Sequence, residues 1–476
     1  MNITDGLLIV CKRDCETCTM LSPVYEQIAQ GDLPLTIYSQ DDPKFPNADA
    51  IYDSDLETSF RLDIEVVPTL IRFKDGKEVA RTFSWDRTEW EVISGVEQLG
   101  DGLMASKPGC GALNVMPGMA ERLKLKFGDT GITARQISIP PLQDDIEACY
   151  ERGWTDGLPV VPPTPERVLR MLQGTQRDPA DVLGIVPPNL VPCTVQKVAI
   201  NAVMAGCLPE YMPVVLAAVE AALLDEFCMH GLLATTWFSG PIVIVNGPIA
   251  RKIGMNSEGN ALGQGNRANA TIGRALQLVI RNVGGGVPGG IDRACMGNPG
   301  KYTFCFAERE HDSEWESLAE ERGIESGKSA VTLFAGDGVQ GIMDQLSRTP
   351  ESLAMSFAQS LRTVTHYKLF MASDAILVVS PEHSRVFFEA GWSKDRLKQE
   401  IESTLMTPGE EIIRRPEGVA EGIPEQFASA VVPKFKPGGL HIVRVGGNAG
   451  LFSAIIGGWV ASGPTGSTAV TVEIKE

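Results

Sequence analysis

Leu7-Leu8-Ile9-Val10-Cys11-Lys12-Arg13-Asp14-Cys15-Glu16-Thr17-Cys18, followed by Thr19-Met20-Leu21-Ser22-Pro23-Val24-Tyr25-Glu26-Gln27-Ile28, is the stretch whose reading decides the fold at the start of this chain. The apolar run before the cysteines reads as a strand, and the residues after Cys18 read as a helix. Two thiols spaced i, i+3 at a helix start can close a small disulfide. Unpaired backbone N–H groups at a helix N-terminus also favour the thiolate of the first cysteine. The pattern is that of redox chemistry.

The next stretches downstream extend this reading. Val66-Val67-Pro68-Thr69-Leu70-Ile71-Arg72-Phe73 and Glu78-Val79-Ala80-Arg81-Thr82-Phe83 are strand-like, and Asp75-Gly76 between them reads as a hairpin turn. Asp86 to Leu99 reads as an amphipathic helix that closes the unit. The order of strand, CxxC helix, strand, Val-Pro-Thr, hairpin and helix resembles the thioredoxin superfamily. That resemblance covers residues 1–105 and implies an N-terminal thioredoxin-like domain. It implies Cys15 as the attacking thiol, Cys18 as the resolving thiol, a redox-active Cys15–Cys18 disulfide, and Pro68 as a cis-proline beside them.

The chain also departs from that family. The extra N-terminal strand and helix of its larger members are absent. Asp14-Cys-Glu-Thr-Cys stands where Trp-Cys-Gly-Pro-Cys is usual. Asp14 and Glu16 put negative charge beside the thiol, which is expected to oppose thiolate formation and give a reducing poise. Two other uses of the motif stay open: a scaffold that only packs, or half of a zinc site. A structural zinc site takes four ligands; Cys11 is near, but no histidine precedes His230.

Length and composition bound the rest. A chain of 476 residues is expected to hold two or three domains. A hydrophobic share of 43% and a charged share of 21% are ordinary for a soluble globular protein. The formal net charge of -18 argues against nucleic acid and anionic membrane surfaces as partners. No leader pattern and no long charge-free apolar run is seen, so a cytoplasmic location is expected. Ten cysteines in a chain this long do not form a disulfide scaffold.

Lys107-Pro108-Gly109-Cys110-Gly111-Ala112 reads as an exposed, bendable loop inside a linker over 106–145. Cys110 there is either a relay for electrons between the two units or a loop cysteine without a role. Residues 146–476 form the larger unit. It opens with a short acidic helix, then Trp154-Thr155-Asp156-Gly157-Leu158-Pro159-Val160-Val161-Pro162-Pro163-Thr164-Pro165. So much proline excludes a central strand or helix, and Thr164 can cap a helix starting at Pro165. This stretch resembles a group of bacterial proteins that share it and are associated with selenocysteine-Gly-Ser-Cys (UGSC-type) proteins. Further matching stretches are Ala205-Gly206-Cys207, His230-Gly231, Asn246-Gly247-Pro248-Ile249, 265–271 and Tyr302-Thr303-Phe304-Cys305-Phe306-Ala307-Glu308. The resemblance brings no assigned reaction with it.

Apolar β-branched runs followed by Gly-rich turns and helices make this unit α/β with partly parallel sheets. Similar blocks hint at internal duplication without a clean period. The Gly/Asn-rich loop 254–267 is the candidate substrate site. Gly263 and Gly265 allow close backbone approach, Arg267 suits a carboxylate or phosphate, and Asn256, Asn260 and Asn266 can donate and accept. An equally good reading makes it a structural loop. Its spacing is neither a dinucleotide fingerprint nor a P-loop. Cys207 and Cys305 are candidate thiols with His230 as base, and the bland reading is two core cysteines and a structural histidine. Glu382-His383 follows a strand end, where α/β proteins often bind ligands. No metal or other cofactor is expected.

The expected function is that of a thiol-dependent oxidoreductase in which the CxxC module serves a C-terminal domain acting on a small anionic organic substrate. Its partners would be an external thiol reductant or a thioredoxin reductase, and a UGSC-type protein. The alternatives are a lyase or hydrolase with a regulatory thioredoxin-like domain, and a non-enzymatic redox partner or scaffold.

Overall fold

In the computed structural model, the apolar run at the start of the chain lies inside β1 (Gly6–Cys11), which is buried at all six positions. A strand covered on both faces carries apolar side chains throughout rather than alternately. The structure describes residues 5–461 and 466–475. The chain divides into two units, Met1–Thr130 and Gly131–Glu476, both mixed α/β.

After β1 the first unit runs α1 (Glu16–Met20), α2 (Ser22–Ala29), β2 (Leu35–Ser39), β3 (Ile51–Tyr52), α3 (Glu57–Arg61), β4 (Val66–Val67), β5 (Thr69–Lys74) and β6 (Lys77–Phe83). Then come β7 (Trp85–Asp86), α4 (Arg87–Ser94), β8 (Ser106–Lys107), β9 (Cys110–Gly111) and α5 (Met119–Phe127). The main sheet has the order β3-β2-β1-β5-β6. β1 is parallel to β2 and antiparallel to β5. The β5–β6 hairpin turns at Asp75-Gly76, where φ is 53° and 68°, the left-handed pair that an Asp-Gly turn provides. Tyr25 of α2 and Trp85 both pack on Trp90 of α4, with ring centroids 6.2 and 5.6 Å away. The Val67–Pro68 peptide bond is cis.

The first unit does not end near residue 105. β7 pairs with β8, and β4 pairs antiparallel with β9, setting Val67 opposite Cys110. The Asn114 amide donates to Ile64 O at 2.7 Å and accepts from Gln40 at 3.0 Å. Phe127 of α5 packs on Phe60 of α3 at 6.1 Å. The expected linker is therefore largely part of this unit. Gly109 permits the return, because a Cβ there would sit 2.5 Å from Val67 O.

In the second unit one sheet joins seven strands. Its order is Cys305–Ala307, Gly240–Asn246, Ala330–Met343, Phe452–Gly458, Ala375–Val379, Leu440–Arg444, with Val470–Glu473 added beside Ala330–Met343. Gly240–Asn246 is parallel to Cys305–Ala307 and antiparallel to Ala330–Met343. Ala375–Val379 is likewise parallel to Leu440–Arg444 and antiparallel to Phe452–Gly458. The six-strand order thus reads alike from either end, and the hinted duplication lies in the topology. The two edge strands meet at their tips, where Arg309 N–H donates to Arg444 O at 2.7 Å. Alternate residues face two cores: Ile242, Ile244 and Phe306 join one inside the curled sheet, while Val243, Val245 and Cys305 face the helices.

Thr164 caps Pro165–Leu172, with Pro165 at its first turn. Among the described residues no helix is long and apolar enough to cross a membrane.

Candidate functional site

Three thiols converge where α1 begins. Cys15 occupies the N-cap position of α1 in an extended conformation, φ -146° and ψ 113°. Its sulfur accepts from the Cys18 N–H at 3.4 Å. In its thiol form it donates to the Val67 carbonyl at 3.6 Å, next to Pro68. Cys18 lies in the first turn of α1, and Cys110 stands opposite Val67, whose carbonyl meets the Cys15 sulfur. Lys12 donates its ammonium to Gly111 O at 3.0 Å, and Thr17 Oγ1 donates to Pro108 O at 2.6 Å, so both flanks of Cys110 are tied to the CxxC segment.

These contacts set the acidity of each thiol. Cys15 is held well below the ordinary thiol range, at about 5, chiefly by the hydrogen bond from Cys18. Burial opposes this, and the Cys110 thiol and the Cys18 and Thr17 N–H groups add to it. Burial and the bond to Cys15 push Cys18 up. Cys110 is raised mainly by its bond to Cys15, with the Glu16 N–H acting the other way. The protons therefore sit on Cys18 and Cys110, and the negative charge on Cys15.

The opposition expected from Asp14 and Glu16 is outweighed at this sulfur by hydrogen bonding. Asp14 and Glu16 are exposed, and the Glu16 carboxylate points to the Lys107 ammonium at 3.3 Å, with its side chain 91% exposed. Water screens such charges, whereas the hydrogen bonds act directly on the sulfur. The loop around Cys110 is not a free, bendable loop either. Cys110 is half-buried in a strand pair, while Cys15 is only 3% exposed. From outside the CxxC, the Val67 carbonyl meets the Cys15 sulfur, and Cys110 stands opposite Val67 in the β4–β9 pair.

In the second unit the candidate residues stand differently. Cys207 is buried, donates to Thr271 O at 3.4 Å, and is pushed up to about 12 by burial. Burial also raises Cys305. His230 is exposed, and no hydrogen bond joins it to either thiol among the described residues. The three do not form a nucleophile–base pair. His383 is buried, with Nδ1 on Ser453 Oγ at 2.8 Å and Nε2 on Asp344 O at 2.9 Å, so both ring nitrogens are engaged in structure. No group of three or more His, Cys, Asp or Glu is placed to hold a metal among the described residues.

The Gly/Asn loop is held by its own backbone. Asn256 Nδ2 donates to Gly259 O at 2.9 Å, and Asn260 Nδ2 to Gln264 O at 2.6 Å. Asn266 caps the Arg267–Asn282 helix through Asn269 N–H and donates to Gly254 O at 2.8 Å. Arg267 Nε donates to Gly206 O at 2.9 Å. A Cβ on Gly263 would sit 2.3 Å from Asn260 Oδ1, and Gly265 turns with φ 112°. The structural reading of this loop is the one its hydrogen bonds favour.

Two quoted stretches do meet. Asn246 Nδ2 donates to Glu308 at 2.7 Å and to Glu310 at 2.6 Å, and Glu310 also accepts from Gly247 N–H at 3.0 Å. Burial raises Glu310, while Arg444 and Arg309 hold Asp312 well below the carboxylate range. Lys394 lies 2.9 Å from Glu321 and 3.6 Å from Glu308. This buried charge network ties the tips of the two edge strands. Of its residues, Asn246, Gly247 and Glu308 belonged to stretches that the sequence brought forward. In comparisons with known proteins, no family model, curated protein or solved structure matched the chain.

Proposed function

We propose that this chain is a thiol–disulfide oxidoreductase whose first unit is thioredoxin-like and whose attacking group is the Cys15 thiolate. The observation that carries the reading is Cys15 at the N-cap of α1, its sulfur accepting from the Cys18 N–H at 3.4 Å and lying against the Val67 carbonyl beside Pro68. The strand order β3-β2-β1-β5-β6, with the CxxC directly after the central strand, supports the fold assignment.

The chemistry balances as follows. Cys15 thiolate attacks an external disulfide, forms a mixed disulfide and expels the first thiolate. Cys18 or Cys110, losing its proton to the departing thiolate, then attacks the Cys15 sulfur and expels the second. Two protein thiols are oxidised and one disulfide is reduced. An external thiol reductant restores the dithiol. A thiolate at about 5 is already ionised near neutral pH, and it is also a good leaving group in the return step. Cys110, half-buried on β9 opposite Val67, is a second thiol that can resolve the mixed disulfide on Cys15.

The test mixes the reduced full-length protein with glutathione disulfide and counts the glutathione released. Release of two glutathiones per disulfide, lost in Cys15→Ser, is expected. No release from the wild type, or equal release from Cys15→Ser, would end this reading.

A further inference from the structure

The second unit contains a cavity of about 520 Å³ beside the Arg267–Asn282 helix, within the usual range for small-molecule sites. Its apolar side is formed by Met229, Leu233 and Ile280. Its polar side carries Gln277 and Arg281, one helical turn apart and so on one face of the helix.

Three buried polar atoms on this wall have no hydrogen-bond partner among the described residues: Gln277 Nε2, Arg281 Nε and Asn298 Oδ1. Buried polar groups are rarely left so, because each costs free energy when desolvated without a partner. The other charges lining the cavity are matched. Lys301 pairs with Asp292 at 2.7 Å, and Asp156 pairs with Arg274 at 2.8 Å. Among the described residues, Arg281 is thus the cation lining this cavity that has no ion-pair partner. Its guanidinium and the Gln277 amide are donors on one face of the helix, and donors of this kind suit the two oxygens of a carboxylate. Asn298 adds the opposite requirement. Its amide nitrogen donates to Phe238 O at 2.5 Å, which fixes the flip and leaves the oxygen as an acceptor.

We propose that this cavity binds a small organic carboxylate that also carries a hydroxyl or amino group. The carboxylate sits on Arg281 and Gln277, the hydroxyl or amino group donates to Asn298 Oδ1, and the carbon skeleton lies against Met229, Leu233 and Ile280. The site stands apart from the Gly/Asn loop and does not depend on the thiol chemistry.

The test is calorimetric and thermal-shift titration of the full chain with L-lactate, L-malate and L-serine. Lactamide and inorganic phosphate serve as the uncharged and non-carboxylate probes. At least one carboxylate should raise Tm by about 2 °C or more when saturating, with lactamide inert. Arg281→Met should weaken that carboxylate about tenfold or more, and Arg281→Lys should recover part of the loss. If Arg281→Met does not fold, Gln277→Leu supplies the same comparison with a smaller loss. The proposal is overturned if none of the three carboxylates binds, if phosphate binds more tightly than all of them, or if affinity is unchanged in the variants.

Discussion

Cys15 caps the start of α1 and Cys207 follows the end of the Val195–Ala205 helix; both are buried, yet the structure sets their chemistry in opposite directions. Cys15 receives hydrogen bonds from two thiols and from backbone N–H groups, and lies at about 5. Cys207 instead donates its proton to the Thr271 carbonyl, and burial drives it up to about 12. Burial alone makes a thiol inert; donors aimed at the sulfur are what convert a buried thiol into a nucleophile.

The strongest way to break this comparison is by deletion. Cys15→Ser is expected to lower the rate of disulfide reduction by at least about three orders of magnitude, as loss of a nucleophile does. Cys207→Ala and Cys305→Ala should leave that rate within about twofold, since neither forms a thiolate at neutral pH. A large loss in Cys207→Ala without unfolding would contradict the contrast.

Alkylation sharpens it. Near pH 7, iodoacetamide should modify Cys15 at least about a hundredfold faster than Cys207, the larger thiolate fraction outweighing the lower intrinsic reactivity of an acidic thiol. The sign with pH follows from the lowered value. The Cys15 rate should be flat above neutrality and fall as pH drops through about 5. Stability moves with it: a thiol lowered from 9.0 to about 5 stabilises the fold fully above its unfolded value, and this is lost as pH falls toward 5. The Tm difference between wild type and Cys15→Ser should therefore narrow over that interval. A constant difference would show that Cys15 carries no charge in the folded protein.

Gly109→Ala tests whether Cys110 is placed by its strand. A Cβ 2.5 Å from Val67 O must push β9 off β4. Disulfide formation between Cys15 and Cys110 should drop about tenfold, in line with the cost of overpacking, while the Cys15–Cys18 disulfide still forms. Mass spectrometry of the oxidised variant reads the ratio, and an unchanged ratio would mean the strand pair does not position Cys110. The smallest effect belongs to the other Gly-rich loop. Asn266→Ala removes a helix cap and should cost about 1 kcal/mol in a denaturant titration, without altering disulfide exchange.

Local features were legible in the sequence because their causes are local. The CxxC, the Asp75-Gly76 turn and the Thr164 cap each depend on a few adjacent residues. Cys110 was not legible in this way. Its partner strand β4 is two residues long and far away in sequence, so no periodicity announces the pairing; Pro108 and Gly109 looked like a free loop but are the turn that allows it. The acidity of Cys15 was only partly legible: the charges of Asp14 and Glu16 are local in sequence, whereas the hydrogen bonds at its sulfur depend on the fold. The duplication in the second unit was visible only as a hint, since it resides in strand order and direction rather than in a repeated motif. The buried network of Glu308, Glu310, Arg309 and Arg444 joins two strand ends widely separated along the chain, and its pairing likewise needed the fold.

The most direct test of the thiol centre is to oxidise the Cys18→Ser protein with glutathione disulfide and map its disulfides. With Cys110 opposite Val67 and the Cys15 sulfur on the Val67 carbonyl, the variant should still release both glutathiones and end with a Cys15–Cys110 bond. A stable glutathione adduct on Cys15, with Cys110 left as a free thiol, would contradict the role given to Cys110.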